Sequence, residues 1–200
     1  MAPGKSTAAA RNAWICFEDE AGQGLRPPKG RTWAPRGRRP VVRVRGSNRG
    51  RMSIAGVSCF HPDHPSRMFY RLHVHRARTG EVMSFTWQDY RDLIVATHNQ
   101  LGGPIVWVWD NLNVHLVDPL AEFFEENKDW LTVFQLPSYA PELNPQEGIG
   151  RWSSARWPTS PPPHLNHLAR VVKRKLKKIQ YRPHLINGCL TGTGLITGSP

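Results

Sequence analysis

Carboxylates at the ends of apolar runs are the residues of this sequence best suited to chemistry. Ile105-Val-Trp-Val-Trp109 is five apolar residues long, mostly β-branched or aromatic, and Asp110 ends it. Such a run reads as a strand buried on both faces, and open α/β sheets take their ligands at the carboxyl ends of such strands. A second run, Ala13-Trp-Ile-Cys-Phe17, ends in Glu18-Asp19-Glu20. Acids delivered by separate elements are what two-metal phosphoryl transfer needs, with oxygen ligands holding two hard cations about 3.5–4 Å apart. Taken alone, Asp110 would equally start a turn. Strand alternation groups Ile15, Phe17 and Asp19 on one face and Trp14, Cys16, Glu18 and Glu20 on the other, and does not choose among the three acids. In Asn144-Pro145-Gln146-Glu147, Asn144 is a good N-cap, Pro145 suits the first helical position and Glu147 falls at the third. The same residues also read as a capping box.

The elements that would position these acids follow from pattern. After the first strand, residues 26–51 carry ten Lys or Arg, nine of them Arg, and no acid; prolines and glycines at this density exclude a helix. Arginine's planar fork suits phosphate, so the segment reads as a nucleic-acid grip, the alternative being a solvated or disordered loop. Residues 51–60 and 67–75 have strand character around the turn cluster His61-Pro-Asp-His-Pro65 and predict an antiparallel hairpin. His61, His64, His73 and His75 read as turn and surface histidines rather than a metal cluster. Helical spacing over 85–101, stopped by Gly102-Gly103-Pro104, predicts a helix on the sheet. Asp118 as N-cap and Pro119 behind it start a short helix, and 130–134 is a further strand. Residues 164–180 place Leu165, Leu168, Val171, Val172, Leu176 and Ile179 on one side and cations, Lys173 and Lys177 among them, on the other. The order β-β-β-α-β-α-β-α predicts an α/β fold with a mixed five-stranded sheet flanked by helices, in which the Asp19 and Asp110 strands are neighbours.

The chain of 200 residues is long enough for one self-sufficient core. Cys16, Cys59 and Cys189 are too few and too scattered for a disulfide framework or a zinc site and fit a reducing compartment. No signal peptide or membrane-length apolar run is present, which predicts a soluble cytoplasmic protein. The net charge is +12 but unevenly spread: residues 1–80 hold 16 basic against 4 acidic residues, 81–150 hold 2 against 11, and 151–200 hold 9 against none. An acidic centre between basic flanks is of little use to a protein that only coats a polyanion and fits a metal-dependent nuclease, although solvated faces would look alike.

The motifs Phe17-Glu-Asp-Glu20, Thr32-Trp-Ala-Pro-Arg-Gly37, Trp109-Asp110-Asn111 with His115, Tyr139-Ala-Pro-Glu-Leu-Asn-Pro-Gln-Glu147 and Ile179-Gln-Tyr-Arg-Pro183 resemble the DDE transposases of the mariner superfamily. The resemblance is to the bacterial insertion-sequence branch, whose catalytic core is RNase H-like, and it runs from about residue 13 to about residue 195. The 36 residues between Asp110 and Glu147 are close to the spacing of that superfamily. It implies Asp19, Asp110 and Glu147 as catalytic ligands of two Mg²⁺ or Mn²⁺ ions, and sets aside Glu18, Glu20 and Glu142. Asn111 and His115 are implied as groups supporting Asp110 or the substrate, and Arg36, Arg38 and Arg39 as part of an insertion that lies against DNA or the partner subunit; Arg31, Lys173 and Lys177 are read as DNA contacts from the basic segments that carry them. The implied activity is cleavage of DNA at insertion-sequence ends followed by strand transfer. Implied partners are transposon-end and target DNA, a second copy on DNA, and a helix-turn-helix recognition module that could be a separate protein; the setting is a bacterial cytoplasm, at the nucleoid, with no membrane.

The implied organisation is a flexible lead-in over 1–12, a catalytic domain over 13–160 with the basic insertion 26–51, a basic helix over 161–183 packed on the domain, and a tail over 184–200. Two features depart from the family pattern. No helix-turn-helix module precedes the first catalytic strand, and Gly148, Gly150, Pro158 and Pro161 to Pro163 shorten the helix after Glu147, since interior Gly costs roughly 1 kcal/mol and Pro about 3 relative to Ala. A truncated remnant that only binds DNA is the alternative function. An RNase H-like enzyme acting on RNA or hybrids ranks below both, because the Pro-Glu-Leu-Asn-Pro box points to transposases.

Overall fold

The computed structural model describes residues 2–24, 36–37, 50–137, 144–146 and 164–191. Five strands, β1 (Trp14–Gly24), β2 (Arg51–His61), β3 (His64–His75), β4 (Ile105–Trp109) and β5 (Leu131–Gln135), form one sheet in the order β3-β2-β1-β4-β5. β1, β2 and β3 pair antiparallel, while β4 joins β1 and β5 joins β4 in parallel. The mixed five-stranded sheet is the one the residue pattern predicts.

Helices cover both faces. On one face lie α2 (Trp87–Leu101) and α3 (Asp118–Glu126), and Tyr90, Leu93, Ile94 and Leu120 close a core with Trp14, Cys16, Ile105, Trp107 and Trp109. The other face carries α1 (Ala2–Arg11), α4 (Leu165–Gln180) and α5 (Pro183–Thr191). There Leu168, Val172, Leu176 and Ile186 meet Phe17, Met52, Val106 and Val108. Each such fully buried aliphatic side chain stabilises the fold by about 1.5–3 kcal/mol before entropy is counted. β4 is buried along its whole length because it is central and covered on both faces, which is why its sequence shows no alternation.

α2 starts two residues later than the apolar spacing predicts. Thr86 and Asp89 form a reciprocal capping box there, and Gly102 at φ 71° ends the helix in the left-handed conformation. Asp118 is the first residue of α3, with Val117 as its N-cap, rather than the cap itself.

Three expectations are corrected. Residues 2–11 are helical, not a loose lead-in: the alanines favour helix, Ala8 is buried, and Arg11 bonds Thr132 Oγ1 at 2.6 Å and the carbonyls of Lys128 and Asp129. The C-terminal helix stops at Gln180, and Pro183, well suited to a first helical position, starts a second one within the expected tail. α5 is docked by buried Ile186 and Leu190 and by a hydrogen bond from Ser66 to Asn187. His61 is buried, its ring 5.1 Å from that of Trp14, because the hairpin turn is confined to Pro62 and Asp63.

Candidate active site

Parallel pairing of β1 with β4 runs through Phe17 opposite Val108. Two residues further along each chain stand Asp19 and Asp110, so both carboxylates belong to the same end of the sheet. Asp110 lies just past β4 with its side chain half exposed. Its Oδ1 accepts the Leu112 backbone N–H at 3.3 Å, and His115 Nδ1 is 3.3 Å from that oxygen and 3.0 Å from the Asp110 carbonyl. The hydrogen bond from His115 holds the Asp110 carboxyl below its usual pKa, against the opposing effect of burial.

His115 is itself fixed. It sits in a short 3-10 turn (Asn113–Leu116), stacked on Trp109 at 3.8 Å and 4°, with Tyr90 edge-on at 4.6 Å. Its Nε2 faces Glu18 Oε2 at 3.8 Å, too far for a hydrogen bond. Glu18 is 1% exposed. Burial, then the negative charges of Asp19, Asp110 and Glu20, push its carboxyl well above the usual range. Glu20 accepts hydrogen bonds from Ser84 Oγ at 2.6 Å and Tyr90 OH at 2.7 Å. Burial first, then the neighbouring Glu18 carboxyl and the bond to Glu20, raise the Tyr90 hydroxyl above its usual pKa.

On the opposite face, Asp19 pairs with Gly56 of β2, and directly opposed residues of antiparallel strands point to the same side. Gly56 lies under Gln146: a Cβ there would meet Gln146 Nε2 at 2.0 Å. Ser58 donates a hydrogen bond to Gln146 Oε1, Asn144 Nδ2 donates to the Glu18 carbonyl at 3.0 Å, and Asn144 Oδ1 accepts the Gln146 N–H at 3.0 Å. That last bond is the expected N-cap. The start of the Asn-Pro-Gln segment is thus seated on β1 and β2 beside Asp19.

The structure therefore brings Asp19, Asp110 and His115 to one end of the sheet. Asn111 Nδ2 reaches the Leu136 carbonyl at 3.2 Å and ties the ends of β4 and β5 together. Glu147, Arg31, Arg38 and Arg39 lie outside the described residues. Arg36 is exposed, as are Lys173 and Lys177 on the outer side of α4. Among the described residues no group of three His, Cys, Asp or Glu is arranged to hold a metal ion, and no helix is long and apolar enough to cross a membrane. Gly56, Ser58 and Gln146 were not singled out in the sequence; a glycine within an otherwise full-sized strand was the available signal. Glu18 and Glu20, which the resemblance sets aside, stand behind the site, the first buried and the second accepting from Ser84 and Tyr90.

Comparison with known proteins agrees with this architecture. No match is found among curated protein sequences. The Mos1 transposase paired-end complex with left transposon end shares the fold at TM-score 0.57 and 14% identity, over 95% of this chain and 59% of that one. The Mos1 mariner paired end complex with Mn gives 0.54 at 14% identity, covering 96% and 60%. The corresponding complex with Mg gives 0.54 at 16%, covering 93% and 56%. The chain spans about three fifths of the length of these relatives, and its sheet and flanking helices are their RNase H-like fold. The family described as DDE superfamily endonuclease matches residues 14–169, more than three quarters of the sequence. By that match the chain belongs to the DDE superfamily endonucleases.

Proposed function

We propose that this chain is the catalytic domain of a transposase of the bacterial insertion-sequence branch, cutting DNA at transposon ends and joining the freed 3′-hydroxyl to target DNA. The carrying observation is the β1–β4 register, which puts Asp19 and Asp110 at one end of the sheet with the Asn144–Gln146 segment seated beside them. Residues so joined argue for a built site rather than a DNA-binding remnant.

The donor set fits two hard divalent cations, Mg²⁺ or Mn²⁺. Carboxylates are the ligands such ions prefer, the Asp110 pKa is lowered, and the negative charge gathered here raises that of Glu18. Bound there, the ions would neutralise charge on the scissile phosphate and ease deprotonation of the attacking water. Asp19, Asp110 and Glu147 hold them in this reading, His115 orients the Asp110 carboxylate, and Asn111 steadies the loop. Arg31, Arg36, Arg38, Arg39, Lys173 and Lys177 meet DNA phosphates, giving strongly salt-dependent binding. A helix-turn-helix module supplies end recognition, two copies act together on DNA, and the work is done at the nucleoid in the cytoplasm.

The test is Asp110→Asn. Divalent-metal-dependent nicking of duplex DNA should fall at least about a hundredfold while DNA affinity and thermal midpoint stay unchanged. Undiminished nicking by this variant would reject the assignment.

A further inference from the structure

Cys16 and Cys59, far apart in sequence, are directly opposed residues of the antiparallel strands β1 and β2. Their pairing is of the kind that exchanges no backbone hydrogen bonds. The Trp14 N–H donates to the Pro104 carbonyl on the β4 side, so alternate residues of β1 from Trp14 onward, Cys16 included, turn their backbone groups towards β4 and away from β2. The outer strand agrees. The Met68 carbonyl points off the sheet edge to Gln180 Nε2, so Ser58, opposite Met68, turns its own groups to Phe17, and Cys59 turns its groups to β3. Opposed residues at such a position lie about 4.5 Å apart at Cα, within the range of roughly 4.4–6.8 Å that a disulfide spans.

The two side chains point to the same face of the sheet, into the core beneath α2 and α3, and both are fully buried. Both thiols are free, and they are hydrogen-bonded to each other. Cys189 packs against the core on the opposite face and does not compete for either one. Burial, then the bond to Cys16, push the Cys59 thiol up. A pair so placed reacts slowly and is closed to bulky, charged disulfides, whereas a small uncharged hydroperoxide reaches it when the strands open locally.

We propose that Cys16 and Cys59 are a peroxide-oxidised dithiol whose disulfide staples β1 to β2 and closes the basic insertion 26–51 into a covalent loop. One sulfur attacks a peroxide oxygen, the O–O bond breaks, and a sulfenic acid and one water form. The second thiol attacks that sulfur, the S–S bond forms and a second water leaves, so two thiols and one hydrogen peroxide give one disulfide and two waters. The 42 residues between the cysteines are then held as a ring. Closing a ring of this size removes conformational freedom from the unfolded chain and stabilises the fold. The proposal concerns the strands that carry the site and holds whether or not the chain cuts DNA.

The test holds the full chain, and Cys189→Ser to remove the third thiol, with hydrogen peroxide, then adds catalase and alkylates in urea. Cys16 and Cys59 should resist alkylation until dithiothreitol is added, and a non-reduced digest should contain their two peptides joined. The thermal midpoint of the oxidised chain should lie about 5–10 °C above that of the same sample reduced in urea and refolded. Methionine sulfoxide survives that reduction and cancels from the comparison. Cys59→Ala should show no such rise; if it fails to fold, the joined peptides and the midpoint of the unmodified protein decide. Full alkylation of both cysteines after prolonged peroxide would overturn the proposal. So would sulfinic acid at one of them, a bond between two chains, or a joined chain no more stable than its reduced form.

Discussion

The Asn144 side chain donates a hydrogen bond to the backbone carbonyl of Glu18 across 126 positions of sequence, at 3.0 Å. Glu18 immediately precedes Asp19, so the bond joins the segment leading to Glu147 to the strand that carries the first candidate ligand. Its other amide atom caps the Gln146 N–H. Asn144→Ala should cost about 1–3 kcal/mol, because a buried carbonyl and a helix-start N–H both lose their partner. Urea denaturation measures the cost. If the bond also aligns the site, Mn²⁺ should protect the variant from unfolding less than it protects the unmodified protein.

Gly56 is the second half of that joint. Gly56→Ala would drive its Cβ into the Gln146 amide, forcing it off Ser58. The expected loss is about 1–3 kcal/mol, and Gln146→Ala in the same chain should recover part of it. Additive losses in a double-mutant cycle would show that the two residues do not press on each other.

Glu18 makes stability fall as pH rises. Its folded pKa lies above the ordinary value of 4.5, so between the two the folded protein binds a proton that the unfolded chain has released. The stability tied to that proton is complete below the unfolded pKa and is lost on passing the folded one. Glu18→Gln cannot ionise and should remove this dependence. In chelator, urea midpoints of the unmodified protein should decline relative to the variant as pH rises above the ordinary value of 4.5. Parallel curves would mean that Glu18 ionises freely.

His115 has the opposite effect on Asp110. Its hydrogen bond depresses the Asp110 pKa, so the contact stabilises the fold above the unfolded pKa and ceases to do so as pH falls through the folded one. In His115→Ala the Asp110 carboxyl should titrate at higher pH, read by carbon-detected NMR of the carboxylate. Metal-dependent nicking should then fail at a higher pH on its acid limb. An unmoved Asp110 titration would remove His115 from its orienting role.

Much of this arrangement is legible in the sequence because it is local. Apolar runs ending in acid, Gly102 at a helix end and the spacing of Leu168, Val172 and Leu176 are patterns of two to four residues, which backbone geometry converts directly into strands and helices. Alternation also separates Asp19 from Glu18 and Glu20 onto opposite faces. Less visible were α1, whose alanines carry no hydrophobic period and whose docking depends on Arg11 reaching Thr132, and α5, hidden behind a proline.

What the sequence could not decide is which acid does what. Glu18, Asp19 and Glu20 are consecutive and chemically alike, yet one is buried with its pKa pushed up, one stands beside the Asn144–Gln146 segment, and one accepts from Ser84 and Tyr90. Solvent access and partners set these states, and the hydrogen-bond partners come from residues 64 to 126 positions away. Residue type and spacing determined that carboxylates would end two buried strands. Tertiary packing determined their burial and their company, because the largest influence on the Glu18 carboxyl is its removal from water, which only the fold imposes.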